Sequence, residues 1–220
     1  MRIALCLPME ASDAPMLSYC LRSILTQTRK PDGIYLSVSS VTPQKKIEIT
    51  EIIKASMVPN IHVKFSSEQI YAGGNRNIAG DAALAGGATV LTFVDVDDAM
   101  HPQRIEQIAR AFSYSSKKIT GLLHSWVGAH KKDAEAPVAW TPITGKVYLN
   151  AFTAGDHTVT LRHGKHHVQN GHLSVLASFF KTHKYDPNMA RGQDQDYNAT
   201  IVRVGRNLAF TPDALSVHYG

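Results

Sequence analysis

The chain has 220 residues, 44% of them hydrophobic and 19% charged, with a formal net charge of +5. That is enough to build one sizeable core, and no Pro/Ser-rich or low-complexity linker divides it, so a single domain over residues 1–220 is expected. No apolar run approaches a membrane span, the first apolar stretch is too short for a signal peptide, and no Lys/Arg cluster interleaves with aromatics, which together exclude a transmembrane segment and disfavour nucleic acid.

A soluble, cytoplasmic protein is therefore expected, with Cys6 and Cys20 as buried thiols rather than a disulfide. Arg2 to Leu7 alternates as a strand and breaks at Pro8. A helix follows from Asp13, with Pro15 in its first turn and Leu17, Leu21, Ile24 and Leu25 at helical spacing, ending near Thr28. Ile34 to Ser40 reads as the second strand, Pro43 to Met57 as the second helix and Ile61 to Phe65 as the third strand. Asn75 to Ala85 gives a helix behind the turn Gly73-Gly74, Ala88 to Val94 a strand buried on both faces, and Pro102 to Phe112 a fourth helix. Alternating strands and helices imply a mainly parallel central sheet flanked by helices on both faces. The second half is less regular. Ile119 to Val127 and Gly171 to Phe180 read as strands, Lys131 to Asn150 as a Pro-rich loop or lid, and Gln193 to Val204 as a helix stopped by Gly205.

Phe93 to Asp98, FVDVDD, places Asp95, Asp97 and Asp98 where the doubly buried strand stops. In open α/β sheets ligands sit beyond the carboxyl ends of strands, and carboxylates this crowded repel one another unless a cation or N–H donors neutralise them. Oxygen ligands suit Mg²⁺ or Mn²⁺, and such a metal would hold phosphates; the competing reading is a solvated turn capping the next helix. A haloacid-dehalogenase-type phosphatase also uses Asp-x-Asp after an apolar strand, but Ala99 stands where its Thr or Val belongs and the motif lies deep in the chain. An EF-hand would use Asp95, Asp97 and Glu106, yet Ala99 and Met100 occupy a ligand position and the obligatory glycine. His163, His166, His167 and His172 suggest zinc only weakly without cysteines, and fit better along an acceptor pocket. Trp126 reads as core, and Trp140 as a surface on which a sugar could stack.

The order of SILTQT (Ser23 to Thr28), GGNRNIAGDAALAGGATVLTFVDVDD (Gly73 to Asp98), a Gly-His-Leu-Ser segment and GQDQDYNATIVRVG (Gly192 to Gly205) resembles family 2 glycosyltransferases of the GT-A fold over most of the chain. The resemblance implies a Rossmann-like single domain, with a donor-binding half over about 1–100 and an acceptor-binding half over about 101–220. It implies a metal-dependent inverting enzyme that moves a sugar from a nucleotide-sugar, UDP preferred, to a hydroxyl of a glycan. A GT-A protein that binds the nucleotide-sugar without turnover is the alternative. By resemblance Asp97 is the first metal ligand, Asp98 a supporting or metal-binding residue and His218 a third ligand, with Mn²⁺ or Mg²⁺ as cofactor. Pro8, Glu10, Arg76, Asn77, Asp95 and Val96 would bind the donor. Asp194 would be the catalytic base, with Asp196 its rival and Gln193 standing where the family commonly has Glu. PMEA after the first strand and Ser39-Ser40 after the second depart from the family's usual Pro-x-Tyr-Asn and Asp pair.

Overall fold

The computed structural model describes residues 1–114, 119–130, 138–162 and 164–219. An eight-stranded sheet forms the centre, built from β1 (Ile3–Glu10), β2 (Gly33–Ser39), β3 (Ile61–Phe65), β4 (Val90–Phe93), β5 (Asp98–Met100), β6 (Gly121–Ala129), β9 (Ser174–Leu176) and β10 (Leu208–Tyr219) in the order β3-β2-β1-β4-β9-β6-β10-β5. The first four strands of that order are mutually parallel, as are β6 and β10, while β9 runs antiparallel between β4 and β6, and β5 antiparallel beside β10. The α/β class with a mainly parallel sheet and helices on both faces is thus the observed architecture.

Period-2 alternation along β1 assigns the helices to faces. Leu5, Leu7 and Met9 pack with Leu17, Leu21 and Ile24 of α1 (Ala14–Leu25) and Ile49 of α2 (Pro43–Ser56), and Ile3 packs with Ile105 and Ile108 of α4 (Arg104–Tyr114). On the opposite face Ala4 and Cys6 meet Ala79 and Ala83 of α3 (Ala72–Ala85), Phe180 of α5 (Ala177–Phe180) and Tyr197 and Ile201 of α6 (Gln193–Arg203). Both cysteines are free and buried. A small hairpin, β7 (Phe152–Ala154) with β8 (Val159–Leu161), lies outside the main sheet.

Several boundaries differ from expectation for identifiable reasons. β1 continues through Pro8 to Glu10. The carbonyl of Cys6 accepts from Val94 of the β4 side, so the even-numbered residues of β1 face β4, which pairs only as far as Cys6. Pro8 therefore sits where no neighbouring strand asks for an N–H. α3 begins at Ala72, ahead of the expected turn, because its glycines serve close approach: a Cβ on Gly73 would lie 2.6 Å from the Asp186 carbonyl oxygen. The apolar stretch from Gly171 to Phe180 is a 3₁₀ turn, a three-residue strand and a helical turn rather than one strand, since the adjacent Phe179 and Phe180 are both buried, which a half-buried strand does not permit. β10 was absent from the sequence reading because Pro212 and Asp213 interrupt it; they fall at a register shift between Thr211 and Ala214. Of the expected loop, residues 131–137 lie outside the described residues. Thr144 and Gly145 are fastened by their amides to the Asp213 carboxylate at 2.8 Å each, and Tyr148 bridges to Phe210. Among the described residues no helix is long and apolar enough to cross a membrane.

Candidate functional site

Beyond Phe93 the chain leaves β1, and a cleft of about 440 Å³ opens at the carboxyl ends of β1 and β4. Pro8 and Glu10 line it from β1, Asp95, Val96 and Asp97 from the acidic turn, Arg76 from α3, Asp194 from α6 and His218 from β10. With Gln193 of α6, these are residues named from the sequence, brought together from positions up to 210 apart in the chain. Asp13, Gln69, Tyr71 and Asn75 also line the cleft, and sequence reasoning did not select them. Asn75 shows why: it is buried, accepts from Ser37 at 2.8 Å and donates to Ser39 at 3.0 Å, so it fastens the end of β2 rather than carrying a recognisable motif.

The three aspartates have different environments. Asp95 Oδ1 accepts from Arg76 Nη2 at 2.7 Å, and Arg76 is itself buried, with Nε and Nη1 lacking partners. Gly171 makes room for this pair, since a Cβ there would lie 2.8 Å from Asp95 Oδ2 and 3.0 Å from Arg76 Nη2. Asp98 is 1% exposed; Oδ2 accepts from His172 Nε2 at 2.7 Å and Gln169 Nε2 at 3.0 Å, and Oδ1 from His218 Nδ1 at 2.8 Å. Burial alone would raise its pKa, but His172 and His218 hold it well below the usual carboxylate range. Asp97 is half-buried and no side chain among the described residues pairs with it. Desolvation first, then the charges of Asp98 and Asp95, push it up to about 6.

His172, expected along an acceptor pocket, is instead fully buried beneath the acidic turn. Arg104 Nη1 lies 2.8 Å from its Nδ1, and Arg104 Nη2 donates to the Phe93 carbonyl at 2.9 Å. Burial pulls the Arg104 guanidinium down to about 9, with Asp98 opposing that shift, so it stays charged at neutral pH. The signal for Arg104 was legible in retrospect: it stands four residues before Ile108, on the apolar face of its helix, where a charge demands a partner. Asp95, Asp98 and His172 are close enough together to resemble a metal site, but Arg76 and Arg104 already balance the two carboxylates and both His172 nitrogens are engaged. The groups that line the cleft wall and could turn to a divalent cation are Asp97, which no side-chain hydrogen bond holds, Asp95 through Oδ2 and His218 through the ring nitrogen not bonded to Asp98, although their ligand atoms do not already converge as those of Asp95, Asp98 and His172 do. His218 is 41% exposed at its side chain, and its hydrogen bond to Asp98 raises its pKa.

Of the residues named for donor, metal or base, Asn77, Asp98 and Asp196 do not line the cleft. Asn77 donates to the Tyr185 carbonyl at 2.8 Å and accepts from the Tyr185 amide at 3.0 Å, turning its side chain to the backbone instead of toward a donor. Asp98 lies behind the wall. On α6, Asp194 faces the cleft from the first turn, its N-cap being Gly192 at φ 76°, a left-handed conformation suited to glycine. Asp196 is held by His157 at 2.8 Å and Arg203 at 3.3 Å and does not line the cleft. Trp126 is not core: half-buried on β6, it meets the His218 ring edge-on with centroids 5.4 Å apart. Trp140 packs against His101, centroids 4.9 Å apart. Of the histidine group, His163 lies outside the described residues, while His166 and His167 pack on Phe210 and Trp126 respectively, away from His172. Glu106, the last position of the EF-hand reading, accepts from Thr28 at 2.8 Å on the far side of α4.

No curated protein matches the chain. Among solved structures, TarS of S. aureus in complex with UDP superposes with a TM-score of 0.66 at 14% identity, covering 100% of this chain and 61% of that one. TarS in complex with UDP-GlcNAc gives 0.69 at 14% identity, over 100% and 59%. The mannosyltransferase PcManGT of Pyrobaculum calidifontis, in complex with GDP-Man and Mn²⁺, gives 0.63 at 12% identity, over 99% and 56%. The chain thus spans about three fifths of the length of these proteins, and at this identity they share its fold. The profile of glycosyl transferase family 2 matches residues 7–134, more than half of the chain. With the parallel strands, the carboxylates at the end of β4 and this match together, the chain belongs to glycosyl transferase family 2 and has the GT-A fold.

Proposed function

We propose that the chain is a metal-dependent, inverting glycosyltransferase that moves a sugar from a nucleotide-sugar, UDP-sugar first, to a hydroxyl of a glycan. The observation that carries this reading is the cleft with an uncompensated Asp97 on one wall and Asp194 on another, both facing the space beyond β1 and β4. Pro8, Glu10 and Val96 would border the nucleoside, while Arg76, through Asp95, stiffens the wall against which the donor lies. No side chain caps the N-terminus of α3, and Tyr71 and Ala72 at that end line the same space, so its positive dipole end would suit a diphosphate. Asp97, His218 and Asp95 would hold Mn²⁺ or Mg²⁺, which when bound offsets the charge of the departing diphosphate.

Asp194 takes the proton from the acceptor hydroxyl as that oxygen forms its bond to the anomeric carbon. The bond from that carbon to the phosphate oxygen breaks, and the nucleoside diphosphate leaves with the electron pair. One base acting on the face opposite the leaving group inverts the anomeric centre. The donor half is assigned to about 1–100 and the acceptor half to about 101–220. UDP, GDP, CDP and dTDP titrated calorimetrically with and without Mn²⁺ test the reading. Mn²⁺-dependent binding of one nucleotide, UDP expected, is lost in Asp97→Ala and kept in Asp194→Asn, which instead loses transfer. Equal loss of nucleotide affinity in both variants refutes this division of roles.

A further inference from the structure

We propose that Asp98 is a positioning residue: backed by His172 and Arg104, it fixes the His218 proton on Nδ1 and leaves the Nε2 lone pair to face the cleft as a cation ligand. The inference rests on the reading that the cleft holds a divalent cation. It follows from counting donors. A guanidinium has donors only, so His172 Nδ1, 2.8 Å from Arg104 Nη1, must present its lone pair. The single proton of the neutral His172 ring is then on Nε2, 2.7 Å from Asp98 Oδ2, where it donates. The Asp95 amide also aims its N–H at this nitrogen, from 3.1 Å, which a protonated Nε2 does not accept; the shorter contact to the acceptor-only Asp98 carboxylate decides the proton's place. Gln169 Nε2 donates to Oδ2 as well, at 3.0 Å. A carboxylate only accepts, so the bond between Asp98 Oδ1 and His218 Nδ1 at 2.8 Å puts the His218 proton on Nδ1.

The backbone holds this chain of contacts in place. His218 and Asp98 are Cα partners in the antiparallel pairing of β10 with β5, and Trp126 abuts the His218 ring edge-on. A histidine that binds a metal through one nitrogen is regularly oriented by a carboxylate on the other, and loss of such a partner costs 10–100-fold in affinity. Asp98 therefore serves the cation without touching it. Its burial and its full set of protein donors fit that place and not direct ligation.

Asp98→Asn is a discriminating change. Position Oδ2 faces two donors, His172 Nε2–H and Gln169, so only the amide oxygen can stand there, and the new NH₂ must face His218 Nδ1. The His218 proton then moves to Nε2 and the lone pair is withdrawn from the cleft. The experiment reads imidazole ¹⁵N shifts of the metal-free protein, then Mn²⁺ affinity in the presence of UDP for wild type, Asp98→Asn, His218→Ala and the double variant. The proposal expects Nδ1–H at His218 and Nε2–H at His172 in the wild type, and Nε2–H at His218 in Asp98→Asn. It expects roughly 10–100-fold weaker Mn²⁺ binding in either single variant and no further loss on combining them. Nε2–H at His218 in the wild type overturns it without any variant, so a misfolded Asp98→Asn does not protect it. Additive losses in the double variant also overturn it, because Asp98 would then contact the cation independently of His218. If the tautomers are as stated but wild type binds no Mn²⁺ with any nucleotide, the metal reading of the cleft fails and the role assigned to Asp98 fails with it, while the tautomers separate that outcome from an error in the hydrogen-bond chain.

Discussion

Asp97 carries a charge that its own surroundings oppose. With its pKa near 6, well above an ordinary carboxylate, the native state holds more protons than the unfolded chain between that value and the unfolded one. The sign follows: its ionisation destabilises the fold fully above about pH 6, and the penalty is relieved as pH falls toward the unfolded pKa. Asp97→Asn is accordingly expected to melt higher than wild type at pH 7.5 without metal, and the difference to shrink at pH 5; thermal melts of the pair at both values check this. Metal dependence has the opposite sense, since a cation binds the ionised form. Mn²⁺ affinity should fall as pH drops through about 6, and a wild-type affinity unchanged between pH 7.5 and pH 5 would remove Asp97 from the ligand set. A residue that costs stability where it stands, and whose cost a ligand removes, is what a binding site built in advance of its ligand looks like.

At the level of elements, α3 is the hub that links the donor side of the cleft to the second half of the chain. Its Arg76 reaches Asp95, while Asn77, one residue on, clamps the Tyr185 backbone through both amide atoms, and Tyr185 in turn stacks on Tyr197 of α6 at 4.0 Å. Asn77→Ala strips a buried carbonyl and amide of their partners, and a loss of about 1–3 kcal/mol is expected in a urea titration. Because Asn77 does not line the cleft, nucleotide affinity of the folded variant should stay within twofold of wild type; a large loss of affinity without a loss of stability would return Asn77 to the donor site. Where a helix carried its own apolar period, as in α1 and α4, it was readable from sequence within a few residues. β5, β9 and β10 were harder. β5 and β9 are three residues long, too short to show a period, and β10 is interrupted by Pro212 at its bulge, so their strand character comes from neighbours that supply hydrogen-bond partners.

For the molecule as a whole, the order of strands brings the site together. β10 lies between β6 and β5, so His218 arrives next to Asp98 from the opposite end of the chain, while β9 inserts between β4 and β6 and carries the preceding His172 under the acidic turn. Ligand binding in such a cleft ties both halves of the chain to one event. Nucleotide and Mn²⁺ together at about 100 times the dissociation constant should stabilise the fold by about 2.7 kcal/mol, which for a domain of this size is a rise in Tm of about 5–10 °C. UDP with Mn²⁺ is expected to give the largest shift in a thermal melt; a larger shift with GDP reassigns the base, and no shift with any nucleotide removes the donor-site reading.

The sequence by itself determined the α/β class, the alternation of β1 through α4 and a crowded acidic turn at the end of a buried strand, because buried runs, helical periods and dense like charge are local properties written in neighbouring residues, whereas Arg76 and Asp194 were named by resemblance to family 2 glycosyltransferases. Only the tertiary structure decided how those carboxylates divide: Asp95 to Arg76, Asp98 to His172 and His218, Asp97 to the open cleft. That division depends on which donors lie within hydrogen-bond distance. His172, 74 residues beyond Asp98, and His218, 120 residues beyond it, become neighbours only when β9 and β10 enter the sheet, and no spacing along the chain records that approach.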